Sequence, residues 1–236
     1  YYLKMNTTRP PLDDQRVREA LSLAIDRRQI VQSILRGGER VAHGFVPAGL
    51  SGYEPPWREV HDPNRARQLL AEAGFPEGKG FPAIEFLYNT SDNHRKIAEA
   101  IQAMWREELG VTITLTNKEW KVYLDATNNM NYDIARAGWI GSLYPLSFLQ
   151  NLLSVSANNE TGFADPRYDE LLYRSIGLFQ KEERDAVLHE AESRMLAAFP
   201  VLPLYWYTNA FLIDPRVRNW SPKLVDQRPL KLVYLD

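Results

Sequence analysis

The sequence predicts an α/β fold, and three stretches carry that expectation. "AIEFLYN" (83–89) reads as a strand, "TSDNHRKIAEAIQAMWREELG" (90–110) as a helix and "VTITLTN" (111–117) as a second strand. Strand, helix and strand with tight joins make a βαβ unit, which implies a parallel pair and a right-handed crossover. A further strand, "YDIARAG" (132–138), follows a helix over "EWKVYLDATNN" (119–129) and extends the same sheet.

The elements follow in order. "YYLKMNTT" (1–8) alternates as a strand does, and "RPPLDD" stops it. Asp13 and Asp14 cap a helix through "QRVREALSLAI"; Asp26 restarts it through "RRQIVQSIL", and Gly37-Gly38 ends it. Residues 39–61, with Pro47, Pro55 and Pro56, are irregular. "DPNRARQLLAEAG" (62–74) is a short helix with Asp62 as N-cap, Pro63 in its first turn and Gly74 as C-cap, and 74–82 is a turn-rich connector. In the central helix Ser91 or Asp92 is the cap, Ile97, Ala100, Ile101, Met104, Trp105 and Leu109 form the apolar stripe, and Gly110 closes it. Helices are expected near 146–154, 166–179 and 181–198, a strand or hairpin over 201–213, and a last strand over 229–236.

A chain of 236 residues suits one large domain or two small ones and can bury a substantial core. With 44% hydrophobic and 25% charged residues, wholesale disorder is excluded. The 28 basic and 30 acidic residues leave a net charge of -2, so no overall basic field attracts nucleic acid. Arg16, Arg18, Arg27 and Arg28 are interleaved with acids and read as a solvated helix face. The absence of cysteine removes disulfides, thiolate nucleophiles and Cys-based metal sites. No apolar run approaches the roughly 20 residues that span a bilayer. The first residue is Tyr and no signal peptide is present, so the expectation is a processed chain or a piece of a longer one.

No motif argues for catalysis or a cofactor. "GKG" (78–80) lacks the Ser/Thr and the spacing of a P-loop, and no dinucleotide-binding glycine pattern follows a strand. Ser142 follows Gly141 without the flanks of a nucleophile elbow. His43, His61, His94 and His189 have no metal-ligand spacing. The reading therefore assigns no catalytic residue, no metal and no cofactor.

What remains is positional, because ligands of open α/β sheets collect outside the carboxyl ends of the strands. Asn89, Ser91, Asp92 and His94 follow the first central strand, Glu119 and Trp120 the second, and Arg136, Trp139 and Ser142 the third. Such a rim suits an elongated amphipathic ligand with a carboxylate, paired bidentately by Arg136 between flat indole walls. The bland alternatives are a core Trp120, an Arg136 in a structural ion pair and a His94 of the capping region.

Several segments resemble one family: "NTTRPPLDDQRVREALSLAIDRRQIV" (6–31), "LLAEAGFPEGKGFPAIEFLYNTSDNHRKIAEAIQAMWREELGV" (69–111), "NKEWKVYLD" (117–125), "YDIARAGWIG" (132–141) and "PVLPLYWYTNAFLIDPRV" (200–217). They are similar to the C-terminal part of the oligopeptide-binding proteins, the extracytoplasmic solute-binding components of peptide ABC importers. The resemblance implies a periplasmic-binding-protein-like lobe of domain III type: a mixed sheet flanked by helices, with hinge strands to a second lobe. Residues 1–8 would be a hinge strand, 9–215 the ligand-binding lobe and 216–236 the return segment toward the first lobe. It further implies a periplasmic or extracytoplasmic location, an extended peptide ligand, closure of two lobes and membrane permease subunits as partners. Arg136 matches an arginine that receives the peptide carboxylate, and His94 a histidine that assists for certain lengths. Trp120 and Trp139 match pocket and cleft-wall tryptophans, and Tyr205, Trp206, Tyr207 and Asn209 an aromatic stretch bordering the cleft.

One departure affects the ligand. The family typically carries an aspartate a few residues after the Gly-Trp pair, as anchor for the peptide ammonium; here Ser142 stands there, with one residue fewer before Pro145. A charged hydrogen-bonded anchor is worth roughly 1.5–3 kcal/mol, about ten- to hundredfold in affinity. The expectation is either a ligand without a free α-amine at this point or a charge supplied from the other lobe. Non-peptide solutes of the wider family (nickel complexes, oligosaccharides, opines) remain the alternative, ahead of a serine hydrolase built on Ser142.

Overall fold

The computed structural model describes residues 1–56, 61–209, 211–220 and 230–236. Strand β1 (Tyr2–Met5) opens the chain. Helix α1 (Gln15–Leu23) starts where the Asp14 side chain accepts from Arg16 N. Asp26 accepts from Gln29 N and starts α2 (Arg27–Gln29), which continues as a π-helical turn over Ile30–Leu35. That turn closes at Arg36, left-handed at φ 57 with its N–H on Val31 O, one residue before the expected glycine pair.

Within the stretch read as irregular lies a strand, β2 (Arg40–Val41); residues 57–60 of that stretch fall outside the described residues. Helix α3 (Pro63–Glu72) has its expected Asp62 cap, which accepts from Arg65 N. Then come β3 (Glu85–Asn89), α4 (Asp92–Leu109), β4 (Thr114–Lys118), α5 (Trp120–Asn128) and β5 (Ile134–Ala137). The buried stripe of α4 runs through Ala98 rather than Ala100. Strand β4 begins three residues later than predicted, because Val111 and Ile113 are spent on core packing before the ladder starts at Thr114.

Helix α6 (Leu146–Leu149) passes into a 3₁₀ turn at Gln150–Leu152, and α7 (Pro166–Ile176) and α8 (Lys181–Ala198) follow. The strand or hairpin expected over 201–213 is instead two short strands, β6 (Val201–Pro203) and β7 (Tyr205–Trp206), which belong to different sheets; residue 210 lies outside the described residues. The last expected strand is reduced to β9 (Tyr234–Leu235), paired antiparallel with β8 (Val217–Arg218). Residues 221–229 of the expected return segment lie outside the described residues.

The main sheet has five strands in the order β4-β3-β5-β1-β6. Strand β3 pairs parallel with both β4 and β5, as the βαβ reading requires, whereas β1 is antiparallel to β5 and to β6. The sheet is thus mixed, and the chain's first strand lies inside it. A second ladder of two residues joins β2 to β7.

Alternation in β1 and β5 divides the core. Leu3, Met5, Phe86 and Ile134 face α1, α3 and α4, where Leu21, Leu69, Ile97 and Trp105 complete a fully buried cluster. Leu87 and Ala135 face the other way, against Tyr123, Ala126 and Tyr132. A separate cluster ties α6, α7 and α8 to the segment around Phe45–Tyr53.

Arg18 and Arg27 are not on a solvated face: both are buried. Arg18 donates to Ala198 O at the end of α8 and to Leu12 O, and Arg27 to Pro203 O and Ser22 O. Helix ends leave carbonyls without partners, and a guanidinium with five donors can serve several at once. These arginines tie the helical layer to the end of α8 and to β6.

Glu192 of α8 is fully buried and accepts from Phe45 N, Val46 N and the Tyr53 hydroxyl. Burial pushes its carboxyl up to about 7 from an ordinary 4.5, against the pull of these donors. Between those values the folded chain holds a proton that the unfolded chain has released, so stability falls as pH rises from about 4.5 to 7. Glu192→Gln is expected to flatten this part of the stability profile, with a gain relative to wild type of up to about 3 kcal/mol above pH 7. Urea unfolding of both proteins at pH 5 and 8 checks it; parallel profiles refute it.

Candidate functional site

The carboxyl ends of β3 and β5 lie side by side, and Arg136 occupies the last turn of the pleat in β5. Its register partner is Leu3, so its side chain leaves on the α4 face of the sheet, beside Ile134's. Near the strand end, the stem covers core while the guanidinium reaches beyond it.

Three groups then fix that guanidinium. Nη1 donates to Asn89 Oδ1 at 3.2 Å, and Nη2 to the Tyr207 hydroxyl at 2.8 Å. The cation rests on the Tyr1 ring, 5.0 Å from its centroid. Tyr1 in turn stacks on buried Tyr205 (4.9 Å, 18°), and Tyr207 meets Tyr205 edge-on at 5.5 Å. Asn89 also places His94, whose Nδ1 lies 3.1 Å from the Asn89 carbonyl oxygen and donates to it. The His94 ring sits 5.6 Å from that of Tyr1. Burial, then the Arg136 charge, lowers the His94 pKa below its ordinary value, so near neutral pH Nε2 presents a lone pair.

Arg136 and His94 of the expected rim are therefore brought together with Asn89 and Tyr1, and with Tyr205 and Tyr207, which the resemblance put on the cleft border. No carboxylate forms an ion pair with Arg136 among the described residues; its partners there are Asn89 and Tyr207. Nothing in "YYLKMN" marks Tyr1 for this cluster, because β1 inserts beside β5 through a long-range pairing.

The other predicted residues are near but separate. Trp120 is 49% exposed, not a core residue, and stacks on Tyr123 at 5.6 Å and 14°. Tyr123 in turn donates its hydroxyl to Arg136 O. Trp139 is half-buried against the α6–α8 cluster, with its indole N–H donating to Ser147 O at 3.1 Å. Ser142 is exposed; its N–H donates to Ser147 Oγ, and its own Oγ accepts from Tyr144 N. Asn209 is exposed two residues beyond Tyr207. Ile140, Leu143 and Tyr144 are exposed in the same loop as Ser142.

A cation held by neutral acceptors on an aromatic floor keeps donors with which it can pair with an anion. Residues 1–160 match the model for the bacterial extracellular solute-binding proteins, family 5, middle region. The chain belongs to this family. It is 36% identical to the periplasmic oligopeptide-binding protein OppA of Salmonella typhimurium over 242 residues, covering all of this chain and 44% of that protein. Among solved structures, the Escherichia coli murein tripeptide binding protein MppA superposes with a TM-score of 0.87 at 38% identity, over 95% of this chain and 46% of that one. A periplasmic oligopeptide-binding protein from Borrelia burgdorferi, OppAIV, gives 0.88 at 32% identity, over 100% of this chain and 48% of that one. The chain thus spans less than half the length of these family members. Among the described residues no helix is long and apolar enough to cross a membrane.

Proposed function

We propose that this chain is the ligand-binding lobe of an extracytoplasmic, non-enzymatic solute-binding protein that delivers oligopeptides to an ABC importer. The observation that carries the reading is the Arg136 cluster at the carboxyl ends of β3 and β5. In this reading Arg136 takes the peptide carboxylate, with His94 beside it, Tyr207 and Asn209 on the rim and Trp120, Trp139 and Ser142 along the cleft. Tyr205 stiffens the floor from below. A second lobe closes over the extended ligand by a hinge motion through the strands at the chain ends, and the closed form meets the permease subunits. The names of the relatives, which bind oligopeptides and a murein tripeptide, support this ligand class.

A second reading, an oligosaccharide, is favoured by the uncharged Ser142 and the exposed Trp120 face, which suits stacking on sugar rings. Native mass spectrometry of the full-length protein purified without added ligand separates the two. Peptides are expected to co-purify with wild type and to be lost from Arg136→Gln; sugars alone would overturn the proposal.

A further inference from the structure

Arg136 spends one N–H of Nη1 on Asn89 Oδ1 and one of Nη2 on the Tyr207 hydroxyl oxygen. Its Nε is buried away from solvent with no hydrogen-bond partner among the described residues, so an incoming group meets only the terminal nitrogens. Each of these keeps one N–H. The Tyr207 hydroxyl, having accepted from the cation, keeps its own O–H. That proton belongs to an oxygen already polarised by a positive charge, on a residue 46% exposed.

The position of this hydroxyl is built rather than incidental. The Tyr207 ring is braced edge-on by Tyr205 at 5.5 Å and by Tyr1 at 6.3 Å. Gly138 makes the space: a Cβ there would stand 2.8 Å from the Tyr207 hydroxyl and 3.4 Å from Arg136 Nη2. Any side chain at 138 displaces one or the other. His94 offers no competing donor near neutral pH, because its Nδ1–H is held by Asn89 O.

We propose that Tyr207 is the second half of the anion site: it positions Arg136 and itself donates to the ligand carboxylate, with Gly138 conserving the room for its hydroxyl in this fold. Three donors, two N–H and one O–H, converge on two carboxylate oxygens. This rests on the reading of Arg136 as the carboxylate receptor. It predicts that Tyr207 acts on the charge of the ligand's end and not on its apolar body.

The test uses the full-length protein and two sets of probes, tri-, tetra- and penta-alanine as free acids and as C-terminal amides, titrated calorimetrically. Wild type is expected to prefer the acids. Tyr207→Phe is expected to weaken acid binding roughly tenfold to hundredfold, while amide binding changes less than about threefold. Gly138→Ala, which leaves tyrosine in place but crowds its hydroxyl, is expected to shift the same way. Equal weakening for acids and amides in Tyr207→Phe would show a merely structural role and overturn the proposal, as would acid binding unchanged in both variants. If wild type binds both series equally or neither at all, the Arg136 reading itself fails, and this inference with it.

Discussion

Truncating Trp105 to alanine is expected to lower the unfolding free energy by about 3–5 kcal/mol, the largest single loss in the α4 layer. Trp105 is fully buried between α4 and the sheet, tilted against Phe86 at 6.5 Å between ring centroids. Its indole N–H also donates to Leu21 O at 2.8 Å, near the end of α1. Alanine removes the ring, opens a cavity and orphans that carbonyl in one step. Trp105→Phe separates the contributions: it restores most of the packing but leaves the Leu21 carbonyl unsatisfied, for an expected loss of about 1–3 kcal/mol. Urea unfolding followed by far-ultraviolet circular dichroism gives both values. An alanine loss below about 1 kcal/mol would mean that α1, α3 and α4 do not form one packed layer on this face.

The second large effect lies on the opposite face. Lys4 is buried in the middle of the sheet, pairs with Glu160 and lies 5.6 Å from the Tyr132 ring centroid. Burial lowers its pKa although Glu160 pulls the other way, a sign of how much hydration the ammonium has given up. Lys4→Met strands the carboxylate of Glu160, whose side chain is only 16% exposed, and is expected to cost about 3 kcal/mol. The double variant Lys4→Met with Glu160→Leu is expected to recover most of that loss, since an ion pair replaced on both sides by apolar groups is often neutral. Chemical unfolding of wild type, the single and the double variants forms a cycle. If the double variant is no more stable than the single one, the two residues are not coupled and the loop carrying Glu160 is anchored by other contacts.

The arrangement around Arg136 draws on residues of the folded core. Tyr1 and Tyr205 belong to the main core cluster, yet their stacked rings are also the floor under the guanidinium. A floor set in the core moves little, so the guanidinium is held in one place; under the proposed function, less ordering free energy is then lost when it pairs with a ligand. Tyr123 extends the coupling, for it joins the third cluster, supports Trp120 by stacking and donates to Arg136 O.

Much of this was legible in the sequence. The βαβ unit, the Asp14, Asp26 and Asp62 caps and the α4 stripe follow from local periodicity and capping chemistry, which depend on neighbours a few residues apart. The rim followed as well, because parallel strands put their carboxyl ends on one edge; hence Arg136, His94 and Asn89 were found together. Solvated arginines were the clearest misreading. Alternating charge on a helix does not distinguish Arg18, whose donors are consumed by a helix end 180 residues away, from an exposed neighbour such as Arg16.

Local pattern is therefore enough for the class of fold and for placing Asn89, His94 and Arg136 at one edge of the sheet. Four features lie beyond local pattern: β1 enters the sheet between β5 and β6, Tyr1 lies under Arg136, β6 and β7 part into two sheets, and Gly138 leaves room for the Tyr207 hydroxyl. Each of these is a contact between segments far apart in the chain. Such contacts are chosen by which buried surfaces and unpaired polar groups fit one another once the elements have formed, and no local pattern encodes that choice.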